Sequence, residues 1–166
     1  MRENVSTPAG VQENRLTMPS THTSLHYHIV FGTKNREPSI QKEWRLRLHE
    51  YLGGVVRGLD GIAEIIGGVD DHVHILASLN ATHRLSDFMR ELKRNSSIWV
   101  HDTLGFREFA WQDGYSAFTV GHTQLRDVKR YIANQKEHHK KVLFEDEMRG
   151  FYRKYEVPFD EQYVWD

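Results

Sequence analysis

Two sets of residues in this chain have the types and spacing to do chemistry. The first is Asp70-Asp71-His72-Val73-His74-Ile75-Leu76-Ala77-Ser78-Leu79. Read as a strand, it alternates faces, so Asp70, His72 and His74 point one way while Val73 and Ile75 point the other. Imidazoles two residues apart on a rigid strand can converge on one cation, with the intervening valine packing the strand and holding both rings. In a chain with 11 histidines, such a pair fits equally an edge strand that happens to carry them. The second set is Tyr131, Gln135 and His138, spaced i, i+4, i+7 along one side of an expected helix, with Lys129, Arg130 and Lys136 nearby. If that side meets the histidine strand, Gln135 supplies an amide oxygen as a third ligand and Tyr131 comes within reach of whatever the cation polarises. Such a set suits transesterification at phosphorus, with the cation neutralising a phosphate oxygen while a phenolate attacks in line. On spacing alone the plainer reading holds, with Tyr131 an amphipathic boundary residue and Gln135 a solvated neighbour.

The composition narrows the chemistry. The 166 residues contain no cysteine, which excludes disulfides, thiolate metal sites and a cysteine nucleophile. Any metal therefore rests on His, carboxylate or amide oxygen, which favours a hydrolytic or phosphoryl-transfer ion over a structural zinc. Hydrophobic residues at 39% and charged residues at 27% are ordinary for one soluble globular domain. No run is long enough to span a bilayer, and the N-terminus lacks an apolar signal segment, so a cytoplasmic protein is expected. The net charge of −1 is unremarkable, but its distribution is not. Arg126 to Lys141 carries six Lys or Arg against two acids, whereas Glu145 to Asp166 is acid-rich. Such segregation can present a basic face despite a neutral sum.

The elements that must position these residues follow in chain order. Residues 1–19 are polar, with Pro8, Gly10 and Pro19, and are expected to form a disordered lead; Met18 lies just before the first credible strand. Residues 20–166 are expected to form a single domain. Ser24 to Thr33 reads as a strand, and Gln41 to Arg57 as a helix on Trp44, Leu46, Leu48, Leu52, Val55 and Val56. Ile62 to Gly67 and Asp71 to Leu79 read as a hairpin delivering His72 and His74. Ser86 is the expected N-cap of a helix running to about His101, with Arg90, Lys93 and Arg94 on neighbouring faces. Phe109 to Gly121 reads as a hairpin about an Asp113-Gly114 turn. Thr123 is expected to cap the tyrosine helix, about 124–143, on a stripe of Leu125, Val128 and Ile132. A second H-x-H, His26 and His28 in the first strand, reads more simply as the polar face of a half-buried strand. The order βαββαβ predicts an α+β, ferredoxin-like fold, an antiparallel sheet with helices on one face.

Several blocks of this sequence, in order, resemble one family. Asp71-His-Val-His-Ile-Leu76 is similar to the HUH motif, and Tyr131-Ile-Ala-Asn-Gln135 with His138-His139 is similar to the catalytic helix of single-tyrosine HUH transposases. These serve small bacterial insertion sequences; the IS200-like family and the REP-associated tyrosine transposases belong among them. The likeness extends to His28-Ile-Val-Phe-Gly-Thr-Lys-Asn-Arg36, Trp111-Gln-Asp-Gly-Tyr115 and the closing Asp160-Glu-Gln-Tyr-Val-Trp-Asp166, covering nearly everything from Met18 onward. The resemblance implies that His72, His74 and Gln135 bind a divalent cation, Mg²⁺ or Mn²⁺. It implies that Tyr131 is the nucleophile, forming a 5′-phosphotyrosine link to single-stranded DNA and freeing a 3′-OH. It further implies a homodimer with active sites shared between subunits, acting on imperfect hairpins near element ends. Lys34, Arg36, Arg90, Lys93 and Arg94, with Lys129, Arg130 and Lys136, are the candidate DNA contacts.

Two other functions remain open from the sequence. A domesticated relative would hold DNA hairpins without cutting them. A histidine-triad nucleotide hydrolase would need a further histidine continuing the alternation, where position 76 is leucine. Tyrosine ionises near pKa 10, so about one part in a thousand is phenolate at neutral pH and something must accept its proton or stabilise its anion. Lys129, Arg130, the cation and His138 are the candidates in the sequence.

Overall fold

The computed structural model describes residues 22–161; the expected lead over 1–19 and the last residues of the closing block lie outside them. Four strands, β1 (His26–Gly32), β2 (Ile62–Gly68), β3 (His72–Ser78) and β4 (Ser116–Thr119), form one antiparallel sheet in the order β2-β3-β1-β4. That is the order the βαββαβ pattern predicts, with both outer strands reached by crossovers.

Alternation along β1 and β3 divides the sheet into two chemically distinct faces. Ile29 and Phe31 of β1 and Val73, Ile75 and Ala77 of β3 face α1 (Lys42–Gly58) and α2 (Leu85–Trp99). Leu48, Leu52 and Val56 of α1 and Phe88, Met89 and Leu92 of α2 close that core. Each fully buried aliphatic there contributes about 1.5–3 kcal/mol of hydrophobic stabilisation. His28, Val30, His72, His74 and Leu76 project to the other face. There α3 (Leu125–Ala133), α4 (Gln135–His138) and α5 (Phe144–Lys154) cover them. Leu76, Val120 and Ile132 form one small core under α3; Val30, Phe118, Met148 and Tyr152 form another under α5. The two crossover helices thus share one face, and the tyrosine-bearing segment occupies the opposite one.

Local detail departs from the sequence expectations at three places. Ser86 does not cap α2; the helix begins at Leu85 with Arg84 as the extended N-cap, and a five-residue π-helical stretch, Val100–Leu104, follows it. The Phe109–Gly121 hairpin does not form. Trp111 bridges Thr33 and the Gln112 N–H donates to the Gly32 carbonyl, so both would-be arms pair with β1 and not with each other. The Asp113-Gly114 turn is instead pinned by Lys93, whose Nζ donates to the carbonyls of Gln112, Asp113 and Gly114. The continuous helix over 124–143 is divided: a 3-10 turn at His122–Gln124 precedes α3, and Asn134 interrupts it before α4. Thr123 makes no capping bond; the Gln124 side chain accepts from the Gly121 N–H at 3.1 Å.

One close approach sets α3 against the sheet. Gly67 lies directly opposite His74 in the β2–β3 ladder. A Cβ there would meet the Ile132 carbonyl oxygen at 2.3 Å. Glycine at 67 lets the backbone of α3 rest on the strand beside His74, one residue from Tyr131.

Candidate active site

The histidine strand is the middle of the site. His72 and His74 are fully buried on the face toward α3 and α5. Each ring is oriented through Nδ1: that of His72 bonds Asp71 Oδ1 at 2.6 Å, and that of His74 bonds His28 Nε2 at 2.9 Å. Both Nε2 atoms therefore point into the space beneath the tyrosine helix, where neither has a hydrogen-bond partner. A carboxylate or imidazole behind a ligating histidine is the usual way of fixing tautomer and raising basicity. Asp71 is itself held by Arg36, whose Nη2 lies 2.5 Å from Asp71 Oδ2. Arg36 adopts a left-handed backbone, φ 58°, and its guanidinium covers the Phe144 ring at 3.5 Å. Asp71, not Asp70, is thus the acid coupled to the histidines, because the chain turns at 70–71 before β3 begins.

The tyrosine helix meets this strand as the i, i+4, i+7 spacing requires, and the residue that gathers its side chains comes from α5. Glu147 is 7% exposed, and its Oε1 accepts hydrogen bonds from the Tyr131 hydroxyl and, at 3.2 Å, from Gln135 Nε2. Its Oε2 faces three imidazole nitrogens: His139 Nε2 at 3.2 Å, His74 Nε2 at 3.6 Å and His72 Nε2 at 4.0 Å. His138 approaches the other oxygen, Nε2 to Oε1 at 3.5 Å, and lies edge-on to Tyr131 with ring centroids 5.3 Å apart. Tyr131 is also edge-on to His74 and His28, at 5.9 and 6.0 Å. Leu76, the position that would continue a histidine triad, is packed in the core under α3.

The electrostatics of this pocket are those of a site lacking positive charge. Burial lowers His72 and pushes His74 well down; it also brings His28 and His139 to about 4, so the imidazoles are neutral. Burial raises Glu147 to about 8, against a smaller opposing pull from Arg36. Six buried polar atoms, His72 Nε2, His74 Nε2, His138 Nε2, His139 Nε2, Gln135 Oε1 and Glu147 Oε2, have no hydrogen-bond partner. Native interiors leave few such atoms unsatisfied. A divalent cation satisfies imidazole lone pairs and a carboxylate oxygen together, and the residues present fit one.

The basic candidates fall into separate groups. Lys129 and Arg130 lie on α3 beside Tyr131; Lys129 Nζ bonds Glu64 at 2.5 Å and Arg130 bonds Asp127 at 2.6 Å. Tyr131 borders an open groove lined also by Arg130, Asn134, His138 and Lys141, which gives the site access to solvent. Lys136 lines a second groove with Lys42, Arg45 and Gln135, so Lys42 and Arg45 join the basic set. Lys34 is exposed at the loop after β1, beside the more buried Arg36. Arg90, Lys93 and Arg94 belong to α2, on the opposite face of the sheet from the histidines. There Arg90 and Arg94 are exposed, and Lys93 is engaged by three carbonyls.

Asp71, His28, His139 and Glu147 were not among the sequence candidates for the site. His28 lay in the second H-x-H and His139 in the His-His pair, so both carried a signal. Glu147 carried none, because only the packing of α5 brings it to the histidines.

Comparison with known proteins identifies the family. The family model described as "Transposase IS200 like" matches residues 21–135. The transposases for insertion sequence element IS200 of Salmonella typhimurium and Salmonella typhi are each 30% identical over 135 residues, covering 75% of this chain and 85% of theirs. Among solved structures, a protein of Deinococcus radiodurans R1 assigned as a transposase superposes with a TM-score of 0.58 at 22% identity, covering 72% of this chain and 96% of that one. A REP-associated tyrosine transposase bound to a REP hairpin superposes with a TM-score of 0.55 at 16% identity, covering 75% and 76%. Among the described residues no helix is long and apolar enough to cross a membrane. With a matched span that includes the histidine strand, Tyr131 and Gln135, this chain belongs to the IS200-like family of tyrosine transposases.

Proposed function

We propose that this protein cuts and rejoins single-stranded DNA at hairpin-flanked ends, with Tyr131 as nucleophile and His72, His74 and Gln135 holding a divalent cation, Mg²⁺ or Mn²⁺. One observation carries the reading. The Tyr131 hydroxyl and Gln135 Nε2 converge on one carboxylate oxygen, while His72 and His74 turn unpartnered Nε2 atoms toward the other. The nucleophile and the ligands therefore share one buried point at the edge of an open groove.

The cation, when bound, would neutralise charge on the scissile phosphate. The chain's own residues do the rest. Tyr131 Oη gives up its proton and attacks phosphorus; the bond from phosphorus to the 3′ oxygen breaks, and that oxygen leaves as a 3′-OH after taking a proton. A 5′-phosphotyrosine remains, and attack by another 3′-OH reverses the step, so rejoining needs no external energy source. Of the groups the sequence leaves open for the phenol's proton or its anion, Lys129 and Arg130 are paired with acids and the His138 ring lies edge-on to that of Tyr131; Glu147, which no local pattern singled out, accepts from the hydroxyl.

The solved relative bound to a REP hairpin supports imperfect hairpins as the DNA partner. Arg130 and Lys141 flank the groove at Tyr131, and Lys42, Arg45 and Lys136 the groove at Gln135, where they are suited to track a phosphate backbone. Lys34, exposed in the loop after β1, and Arg90 and Arg94, exposed on α2, are further candidates for phosphate contacts away from the cut. A homodimer with active sites shared between subunits would exchange the tyrosine helix between chains and rebuild the arrangement in which Tyr131 and the histidines face one carboxylate. The test is a denaturing gel of protein with labelled single-stranded DNA from the flanks of its own gene. A covalent band that needs a divalent ion and disappears in Tyr131→Phe supports the reading. Hairpin binding on a native gel without any adduct would favour a binding protein instead.

A further inference from the structure

His139 and Glu147 stand on the far side of the pocket from the histidine strand, in α5 and the turn before it, beyond the residues that the family model matches. Three rings there are locked in the same sense. His72 Nδ1 is engaged by Asp71, His74 Nδ1 by His28, and His139 Nδ1 by the Val142 carbonyl at 2.9 Å. In all three the free atom is Nε2, buried and without a partner. Glu147 is aimed by the same logic: Tyr131 and Gln135 both donate to Oε1, which leaves Oε2 turned toward the three nitrogens. One ligand atom from each of His72, His74, His139 and Glu147 can be chosen so that all lie within 4.8 Å of one another.

From this convergence we propose that His139 and Glu147 are ligands of the same ion as His72 and His74, giving a three-imidazole, one-carboxylate site that prefers a transition ion such as Mn²⁺ or Co²⁺ to Mg²⁺. The inference rests on the proposed ion site at His72 and His74. Its dimensions fit. Ligands about 2.1 Å from an ion stand roughly 3.0–3.4 Å apart in octahedral or tetrahedral geometry. The distances from Glu147 Oε2 to the three nitrogens run from 3.2 to 4.0 Å and the four ligand atoms lie within 4.8 Å of one another, so side-chain shifts of about 1 Å close the shell. The donor set also fits the preference. Mg²⁺ takes oxygen ligands and dehydrates reluctantly, whereas a site rich in imidazole nitrogen binds first-row ions with an affinity that rises from Mn²⁺ to Co²⁺. Gln135 Oε1, buried and unpartnered, is available as a fifth donor.

The test is ion binding to the full chain, read by competition with a fluorescent chelator and, for Co²⁺, by the visible absorption of the bound ion. Wild type should bind one Mn²⁺ or Co²⁺ that a large molar excess of Mg²⁺ does not displace. Glu147→Gln, which keeps the shape of the side chain, and His139→Ala should each weaken binding about 10- to 100-fold and alter the Co²⁺ spectrum. Circular dichroism and thermal melts check that each variant folds. Wild-type affinity and spectrum in Glu147→Gln or His139→Ala, with binding lost in His72→Ala, would overturn this inference and leave the ion site standing. Undiminished binding in His72→Ala would remove the ion site itself. Ready displacement by Mg²⁺ would overturn the preference.

Discussion

Replacing Gly67 with alanine tests how the sheet positions the nucleophile. The added Cβ would lie 2.3 Å from the Ile132 carbonyl oxygen and 2.9 Å from Ile132 Cγ2. Carbon and carbonyl oxygen settle at about 3.3 Å or more, so strand and helix must part by about 1 Å. Neither side yields cheaply, since one contact atom is helix backbone and Gly67 is laddered to His74. Overpacking of this kind costs about 1–3 kcal/mol. The melting temperature should fall by about 2–4 °C for each kcal/mol in a domain of this size. The larger effect should be on chemistry, because Tyr131 adjoins Ile132 and a displacement of about 1 Å at a reacting group can cost about 100-fold in rate. The assay is single-turnover formation of the protein–DNA adduct, with hairpin binding measured in parallel. The adduct rate should fall by about two orders of magnitude while hairpin binding stays near wild type. Gly54→Ala is the control: a Cβ there meets nothing within 4 Å, so this helical substitution should leave the rate unchanged and the fold no less stable. A Gly67→Ala protein that melts and reacts like wild type would refute the account of how α3 is seated.

Other expectations follow from the same contacts. Asp71→Asn removes the charge behind His72 and should weaken divalent-ion affinity about 10- to 100-fold, measured by chelator competition. Lys93→Met leaves three carbonyls without their shared donor and should destabilise the fold by about 1–3 kcal/mol in a denaturant melt, without altering ion binding. The ion-free protein should be most stable near pH 6.5–7. His28, His49 and His139 are held at about 4 in the fold, below the ordinary 6.5, so the unfolded chain binds more protons in that window and stability rises with pH across it. Glu147, held at about 8 against an ordinary 4.5, binds the extra proton in the folded state, so above 6.5 it alone makes stability fall until about 8. Denaturant melts from pH 4 to 9 read this directly, and Glu147→Gln should flatten the alkaline limb.

The part of the site that was legible in the sequence is the part written in local periodicity. Two histidines at strand spacing and a tyrosine and glutamine at helix spacing keep their geometry in any fold that preserves the element. The βαββαβ succession of elements was legible for the same reason, and the order β2-β3-β1-β4 is the one a ferredoxin-like sheet makes of it. What the sequence did not disclose depends on contacts between distant segments. Glu147 is one acid among several in an amphipathic helix until α5 packs on Val30 and Phe118 and turns it inward. His28 looked like the polar face of a strand, but the face it occupies is covered by α3 and α5, which makes it the partner of His74. Phe109 to Gly121 carried a strong hairpin signal, yet Trp111 and Ser116 both found β1, an edge already formed by the main sheet. Arg36 had the type and place of a phosphate contact, and its charge is largely taken by Asp71.

The most direct test of the central claim, that Tyr131 attacks phosphorus and keeps the 5′ phosphate, is the polarity of the covalent product. Single-stranded DNA from an element end is labelled separately at its 5′ and 3′ termini and incubated with protein and Mn²⁺. The adduct is then digested and its peptides are identified by mass. The 3′ label should travel with the protein, the 5′ label should leave on a fragment ending in a 3′-OH, and the added mass should lie on the peptide containing Tyr131. An adduct that retains the 5′ label, or one attached to another residue, would contradict the account.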